Sequence, residues 1–373
     1  MLASFKRYSI LLTLCSMLIM SAISCKKSPV APVEAGSGNY DVCYIKLAGL
    51  NWEVFLNSAG GTNSLNISKG EYEDSSPYWS PDGRYILYNH HYYTSSSTGG
   101  VTLLLCDLEK DSTRNLTSEV NYSPSALGFT PDGKKIIYGV HVIGEKNRIY
   151  TMNLDGTQKR KLLDFDAVVF FYPDSYTFLY WMPDAPTAEY HKIYKSNLDG
   201  TMNIEVLDLK DWGENAGLCD ISPSKNEVIF TISNEPLNCD FLLRYNFSSH
   251  ECDTLYRSET NYQILSAQYS NDYSKICFEE IGNSSSSKTR LRLIEGSSNM
   301  LLAEMKFPEM LNLQEGAFSP NGNNILFRKF TIVTGGGVMQ KSKLYSINVS
   351  TKEMRFIEDD VEPRIQWNPK SEY

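Results

Sequence analysis

The chain has 373 residues, 42% of them hydrophobic, and 35 Lys and Arg stand against 44 Asp and Glu for a formal charge of −9. That balance excludes a nucleic-acid binder, which needs clustered Lys and Arg for phosphate contacts. Eight cysteines are present without a single CxxC pair, which excludes a zinc ribbon and a thioredoxin-like redox centre.

Residues 1–24 read as a targeting segment. Lys6 and Arg7 give it a basic start, and Ile10 to Met20 give it an apolar run too short for a membrane span of about 20 residues. It ends in Ser21-Ala22-Ile23-Ser24-Cys25, small residues directly before a cysteine, which resembles a bacterial lipobox. On that resemblance Cys25 is the lipidated first residue of the mature chain, and several acyl chains anchor it stably. Residues 25–39 carry Ser, Pro and Gly and read as a flexible tether, so the folded domain is expected over 40–373. Loss of Lys6 and Arg7 with the signal leaves the mature chain more acidic still.

Strand patterns then follow without interruption. Asp41 to Ile45, Trp52 to Leu56 and Ser64 to Ile67 are three short ones. Next comes Trp79-Ser80-Pro81-Asp82-Gly83-Arg84-Tyr85-Ile86-Leu87-Tyr88, and the chain repeats it from Phe129 and from Phe318, with weaker copies from Phe171, Ile221, Tyr269 and Trp367. The seven copies stand 42 to 50 residues apart, the spacing of a repeat architecture. Pro fixes φ at the second turn position, Asp tolerates the third, and Gly takes the left-handed conformation that follows. The flanking runs are β-branched or aromatic on both faces, as doubly buried strands require. Asn153-Leu154-Asp155-Gly156-Thr157 and Asn197-Leu198-Asp199-Gly200-Thr201 supply a second hairpin turn per repeat.

Four short antiparallel strands per repeat describe a β-propeller blade. The C-terminus ends on a lone inner strand, Pro363 to Trp367, and the N-terminus begins with the other three strands of a blade. The expected fold is therefore an all-β, seven-bladed propeller of four-stranded antiparallel blades, closed by N- and C-terminal strands in one composite blade; six or eight blades are the alternatives. Outside the signal and Cys25, Cys239 and Cys252 flank one predicted hairpin and form the best candidate disulfide, in an exported compartment that permits one.

The signature Trp-Ser-Pro-Asp-Gly-Lys/Arg-x-Ile-x-Tyr/Phe, with Ile-Tyr-x-Met-Asn-x-Asp-Gly-Thr between copies, resembles the WD-type repeats of TolB-like β-propellers over roughly residues 40–370. Lipoproteins with this domain are similar to those of the Bacteroidetes. The resemblance implies an outer-membrane-anchored protein of the cell envelope, facing periplasm or cell surface and working through protein contacts. TolB's additional N-terminal domain has no counterpart here, which puts its particular partnership in doubt.

Catalytic signals are weak. There is no Gly-x-Ser-x-Gly elbow and no room for the hydrolase domain of prolyl-oligopeptidase-type enzymes. Oligogalacturonate lyases, propellers of similar repeat, use a histidine-rich metal site, whereas of the five histidines here (His90, His91, His141, His191, His250) the first two are adjacent, pointing to opposite faces of a strand, and none lies after His250. No enzyme activity, metal or cofactor is expected, apart from a cation that an acidic channel mouth could hold.

The turns within the repeat signature are short and fall on one face of the disc. The other face carries the long, irregular loops, where function usually sits. These are acidic and aromatic: Glu71, Tyr72, Glu73, Asp74, Glu119, Tyr122, Asp211, Trp212, Glu214, Glu259, Tyr262, Asp359, Asp360 and Glu362, with His91, Tyr92 and Tyr93 beside them. Tyr72, Asp74, His91, Tyr92, Trp212, Tyr262 and Glu362 are the binding candidates, expected to converge at the channel mouth, with Trp212 as an exposed anchor. The function expected is a non-enzymatic protein-binding scaffold of the envelope, monomeric, with an envelope protein as partner; the alternative is a glycan-binding or glycan-processing lipoprotein.

Overall fold

A computed structural model describes residues 40–62, 64–93, 99–117, 123–141, 147–165, 167–182, 192–213, 216–282, 288–331, 341–362 and 364–373. The signal, Cys25 and the tether lie outside these residues. The regular elements among the described residues are strands, apart from two single 3-10 turns at Leu209–Trp212 and Glu235–Leu237. No helix among them is long and apolar enough to cross a membrane.

The strands form small antiparallel sheets arranged as a propeller. Each repeat runs outward through strands a, b, c and d. The second sheet shows the pattern: Asp74–Trp79, Tyr85–Tyr93, Gly99–Asp107 and Ser112–Asn115. Five sheets are free-standing and four-stranded, rather than the seven expected. The remaining eight strands make one sheet, because a single parallel pair, Cys239 with Tyr262, ties the meander 216–257 to the meander 262–306. The first sheet joins the two chain ends: Gln366–Trp367 pairs with Val42 and Cys43 of Val42–Ala48, followed by Asn51–Asn57 and Leu65–Asn66.

Ile86, Leu87 and Tyr88 are all fully buried. Ile86 and Tyr88 pack toward the first sheet with Cys43, Val54 and Trp79, while Leu87 packs toward the third with Ala126 and Tyr138. This explains the unbroken apolar runs, since each blade is covered on both faces by its neighbours. A cluster of the same kind joins Val42 and Tyr44 of the first sheet to Leu326, Leu344 and Ile357 of the last. Another places Ile229 and Leu242 against Ile264 and Phe278, so the two halves of the eight-stranded sheet pack face against face.

The repeat turn has a second device besides Pro, Asp and Gly. Ser80 Oγ donates to Asp82 Oδ1 at 2.5 Å and accepts from Tyr85 N–H at 2.8 Å. Thr130 with Asp132 and Lys135, Ser270 with Asp272 and Lys275, and Ser319 with Asn321 and Asn324 do the same. The hydroxyl thus ties the turn to its own next strand. Gly83 has φ +72°, and a Cβ there would meet Asn368 Oδ1 at 2.5 Å, where the C-terminal turn docks. In the degenerate copies Ser175, Asn226 and Tyr273 hold positive φ without glycine.

Strand a is bulged against strand b in five repeats, at Ser75/Tyr78, Ala126/Gly128, Leu218/Asp220, Ile264/Ser266 and Leu313/Phe318. A bulge leaves inner-strand groups outside the ladder. Side chains from the preceding blade take them up: Asn89 Oδ1 accepts from Ala126 N–H at 2.8 Å, Asp220 Oδ2 from Tyr269 N–H at 2.9 Å, and Glu279 Oε2 from Leu313 N–H at 2.8 Å. These bonds stitch blade to blade.

The expected Cys239–Cys252 disulfide is absent, and all six described cysteines are free. Cys252 pairs with Tyr245, six residues along the strand from Cys239. That puts the two about 20 Å apart along the strand, beyond the roughly 7 Å that a disulfide can bridge. The two cysteines sit at opposite ends of the hairpin.

Candidate functional site

The closing inner strand is only two residues long. Beyond it, among the described residues, Val42–Ala48 has no further inner ladder partner, and Val361 and Glu362 lie against it instead. Glu362 N–H donates to Ile45 O at 3.0 Å, and Lys46 forms an isolated bridge with Val361. A cavity of about 490 Å³ opens at this place, on the long-loop face. Ile45 and Trp52 form one wall, Glu73 to Ser76 and His91 a second, and Glu362 with Arg364 a third. The apolar wall continues outward, since Leu47 pairs with Trp52 and the hairpin ends at Leu50, which is 93% exposed.

The Ser75/Tyr78 bulge shapes the second wall. Ser76 takes φ +53° before Pro77, which turns Ser75 toward His91. Ser75 Oγ lies 3.0 Å from His91 Nε2. Burial pushes the His91 imidazole below its ordinary range, against the charges of Glu73 and Asp74, so it is neutral at pH 7. His90 points to the opposite face, as adjacent strand residues must. Its Nδ1 lies 2.8 Å from Asp74 Oδ1.

Asp74 is 1% exposed, and its Oδ2 receives no bond from an N–H or hydroxyl. Beside it lies Glu53, 3% exposed, which accepts from Ser68 Oγ at 2.5 Å and Gly70 N–H at 3.2 Å. Burial raises the Glu53 carboxyl, and Asp74 adds to the rise.

Of the seven binding candidates, Asp74, His91 and Glu362 meet at this cavity. Tyr72 stands beside it, its ring 6.0 Å from those of His90 and Tyr93, with its hydroxyl donating to Tyr93 O at 3.3 Å. Tyr92 is in strand rather than loop, paired with Gly100, where a Cβ would meet its ring within 2.5 Å. Tyr262 begins a strand, and Arg290 lies 4.1 Å over its ring while also pairing with Glu259 and Glu304, a network remote in sequence from the cavity residues. Glu119, Tyr122 and Glu214 fall outside the described residues.

Trp212 is not an exposed anchor. The 3-10 turn Leu209–Trp212 follows an outermost strand, and the indole packs between blades, edge-on to Phe230 at 5.5 Å and Tyr245 at 5.2 Å. Tryptophan is too apolar to stay in water when a neighbouring blade offers an aromatic slot. Trp212→Ala is therefore expected to lower stability by about 2 kcal/mol, read as a lower melting temperature, because a half-buried aromatic is removed. An unchanged melt would contradict this packing role.

Sequence reasoning missed Trp52, Glu53 and Arg364. Trp52 sits in a strand pattern that gave no sign of a missing inner neighbour, and Glu53 is an acid in that same strand. Arg364 itself takes φ +80° and donates to Tyr78 OH at 3.2 Å.

No protein-family model matches the chain, and no curated protein matches it in sequence. Solved structures do resemble it. One is a prolyl endopeptidase, 9% identical over 86% of this chain with a TM-score of 0.58, of which the chain covers 47%. Another is an oligogalacturonate lyase in complex with manganese, 10% identical over 84% of this chain and 83% of that one, with a TM-score of 0.52. TolB from Acinetobacter baumannii aligns with 90% of this chain at 17% identity, covering 68% of TolB, with a TM-score of 0.48. At these identities the likeness is one of fold. Among the described residues no group of three or more His, Cys, Asp or Glu is placed to hold a metal ion.

Proposed function

We propose that this is a lipid-anchored, non-enzymatic propeller of the bacterial cell envelope that holds a partner protein at its channel mouth. The observation that carries the reading is the cavity beside the ring closure, with an exposed apolar hairpin leading into it. The opposite face consists of turns tied down by their own side chains, such as Asp155 and Thr157 or Asp199 and Thr201, and offers little to recognise. The eight-stranded sheet reads as two blades fused by one bridge, which gives a ring of seven. Anchoring rests on Cys25 and its flanking residues, and the envelope location follows from it.

One experiment tests the anchor and the working face together. A photo-crosslinking amino acid in place of Leu50 is expected to capture one partner in the membrane fraction, while the same substitution at Lys134, on the turn face, captures none. Cys25→Ala should move the protein to the soluble fraction. Equal capture from both faces, or no capture from Leu50, ends the scaffold reading; unchanged fractionation ends the lipidation reading. A partner that is a glycan leaves no protein adduct and favours the carbohydrate alternative.

A further inference from the structure

We infer that the mouth cavity receives a lysine or arginine side chain of the partner polypeptide, an organic cation on an apolar stem flanked by apolar residues. This deepens the scaffold reading and rests on it. The volume, about 490 Å³, suits a side chain with its flanking backbone rather than a lone ion. The walls divide by chemistry. Trp52 and Ile45 face the cavity on one side, and an aromatic face attracts both alkyl stems and cations. Glu73, Asp74 and Glu362 stand on the others, against the single guanidinium of Arg364, with His91 uncharged at neutral pH.

Arg328 offsets part of this excess at Glu362 and leaves Glu73 beside Asp74. Arg328 Nη1 lies 4.0 Å from Glu362 but donates to Val361 O at 3.0 Å. Behind the wall, Asp74 and Glu53 place two buried carboxyl groups together, and the Asp74 oxygen that takes no N–H or hydroxyl bond belongs to a cavity-lining residue. Charge held in a poorly solvated concavity projects a stronger field than the same charge in water. A cation that brings its own counter-charge relieves that field. A metal ion would need several of these groups to converge on one point, and among the described residues they do not. Leu47 and Leu50, 44% and 93% exposed, extend the apolar wall past the rim and select apolar neighbours for the basic residue.

The test uses the full-length lipoprotein in detergent micelles, titrated calorimetrically with the blocked tripeptide acetyl-Leu-Lys-Leu-amide. Saturable binding is expected, weakening as salt rises. Acetylating the ε-amine, or replacing Lys by Glu, should weaken it about tenfold or more, the size of one lost charge interaction of roughly 1.4 kcal/mol. Trp52→Ala and the double variant Glu73→Gln/Glu362→Gln should each do the same; neither glutamate is fully buried, so melting of the double variant checks that the fold is kept. Equal binding of the acetylated peptide overturns the inference. So does full affinity in the double variant, or heat from calcium chloride with none from the lysine peptide. If the Leu50 crosslink succeeds while the lysine peptide fails, only this inference falls and the scaffold reading stands.

Discussion

Deleting residues 361–373 is expected to remove most of the protein's stability. The segment carries Val361 and Ile365, both fully buried, and Trp367, 5% exposed. Trp367 Nε1 donates to Ala317 O at 2.8 Å in the last blade, while its strand pairs with Val42 and Cys43 in the first. Asn368 adds bonds to Asp41 O and Tyr40 O, and Ser371 Oγ donates to Asp41 Oδ1 at 2.6 Å. Removing a buried Trp costs about 3–5 kcal/mol and a buried Ile about 2–5. Together these approach the 5–15 kcal/mol that stabilises a whole domain. The truncated protein should therefore lose its cooperative melt or melt far below the full chain. The point variant Trp367→Ala should lose about 4 kcal/mol, roughly 5 °C for a chain of this size. A truncated protein that melts like the full one would mean that the closure does not hold the ring.

Glu279→Gln is expected to stabilise the protein at alkaline pH and to leave it unchanged in acid. Glu279 is 2% exposed and accepts from Leu313 N–H at 2.8 Å and Asn312 Nδ2 at 3.5 Å. Burial raises its carboxyl to about 7, against the bonds from Leu313 and Asn312. The folded protein therefore binds this proton more tightly than the unfolded chain. Where the native state holds the extra proton, stability falls as pH rises. The loss begins near the unfolded carboxyl value of about 4.3 and is complete just above 7, amounting to about 3 kcal/mol. Glutamine keeps an acceptor for Leu313 and has no charge to bury. The variant should melt roughly 4 °C above the parent at pH 8 and level with it at pH 4. A constant difference across that range would refute the buried, proton-holding role.

The candidate site was legible in part. Asp74 and Glu362 lie far apart in sequence, yet blade parity alone puts both at the end of a d–a loop on one face. Their meeting follows from topology. Trp212 obeyed the same parity but left the face, because its loop runs along the outermost strand and the next blade offers Phe230 and Tyr245 as packing partners. Tyr262 failed for a related reason: its loop shortened into strand, and Arg290 covers its ring. Loop membership fixes a face of the disc and says nothing of radius.

What the sequence determined by itself is the repeat. The turn motif, the doubly apolar strands and the split blade at the chain ends are local or periodic features, written within about ten residues each, and local rules suffice to read them. Even the hydroxyl was present in the three strong copies, as Ser80, Thr130 and Ser319, and in the weaker one as Ser270, although only the structure shows it tied to the following strand. What only the tertiary structure decided is everything that depends on which blade touches which. The Cys239–Tyr262 bridge joins two blades into one sheet. The bonds from Asn89, Asp220 and Glu279 cross between blades. The cavity exists because the closing strand stops after two residues and leaves Ile45 and Trp52 facing Glu73 and Glu362. These contacts join residues tens to hundreds of positions apart, where no local propensity acts. They are set by how far each strand extends once the ring has closed.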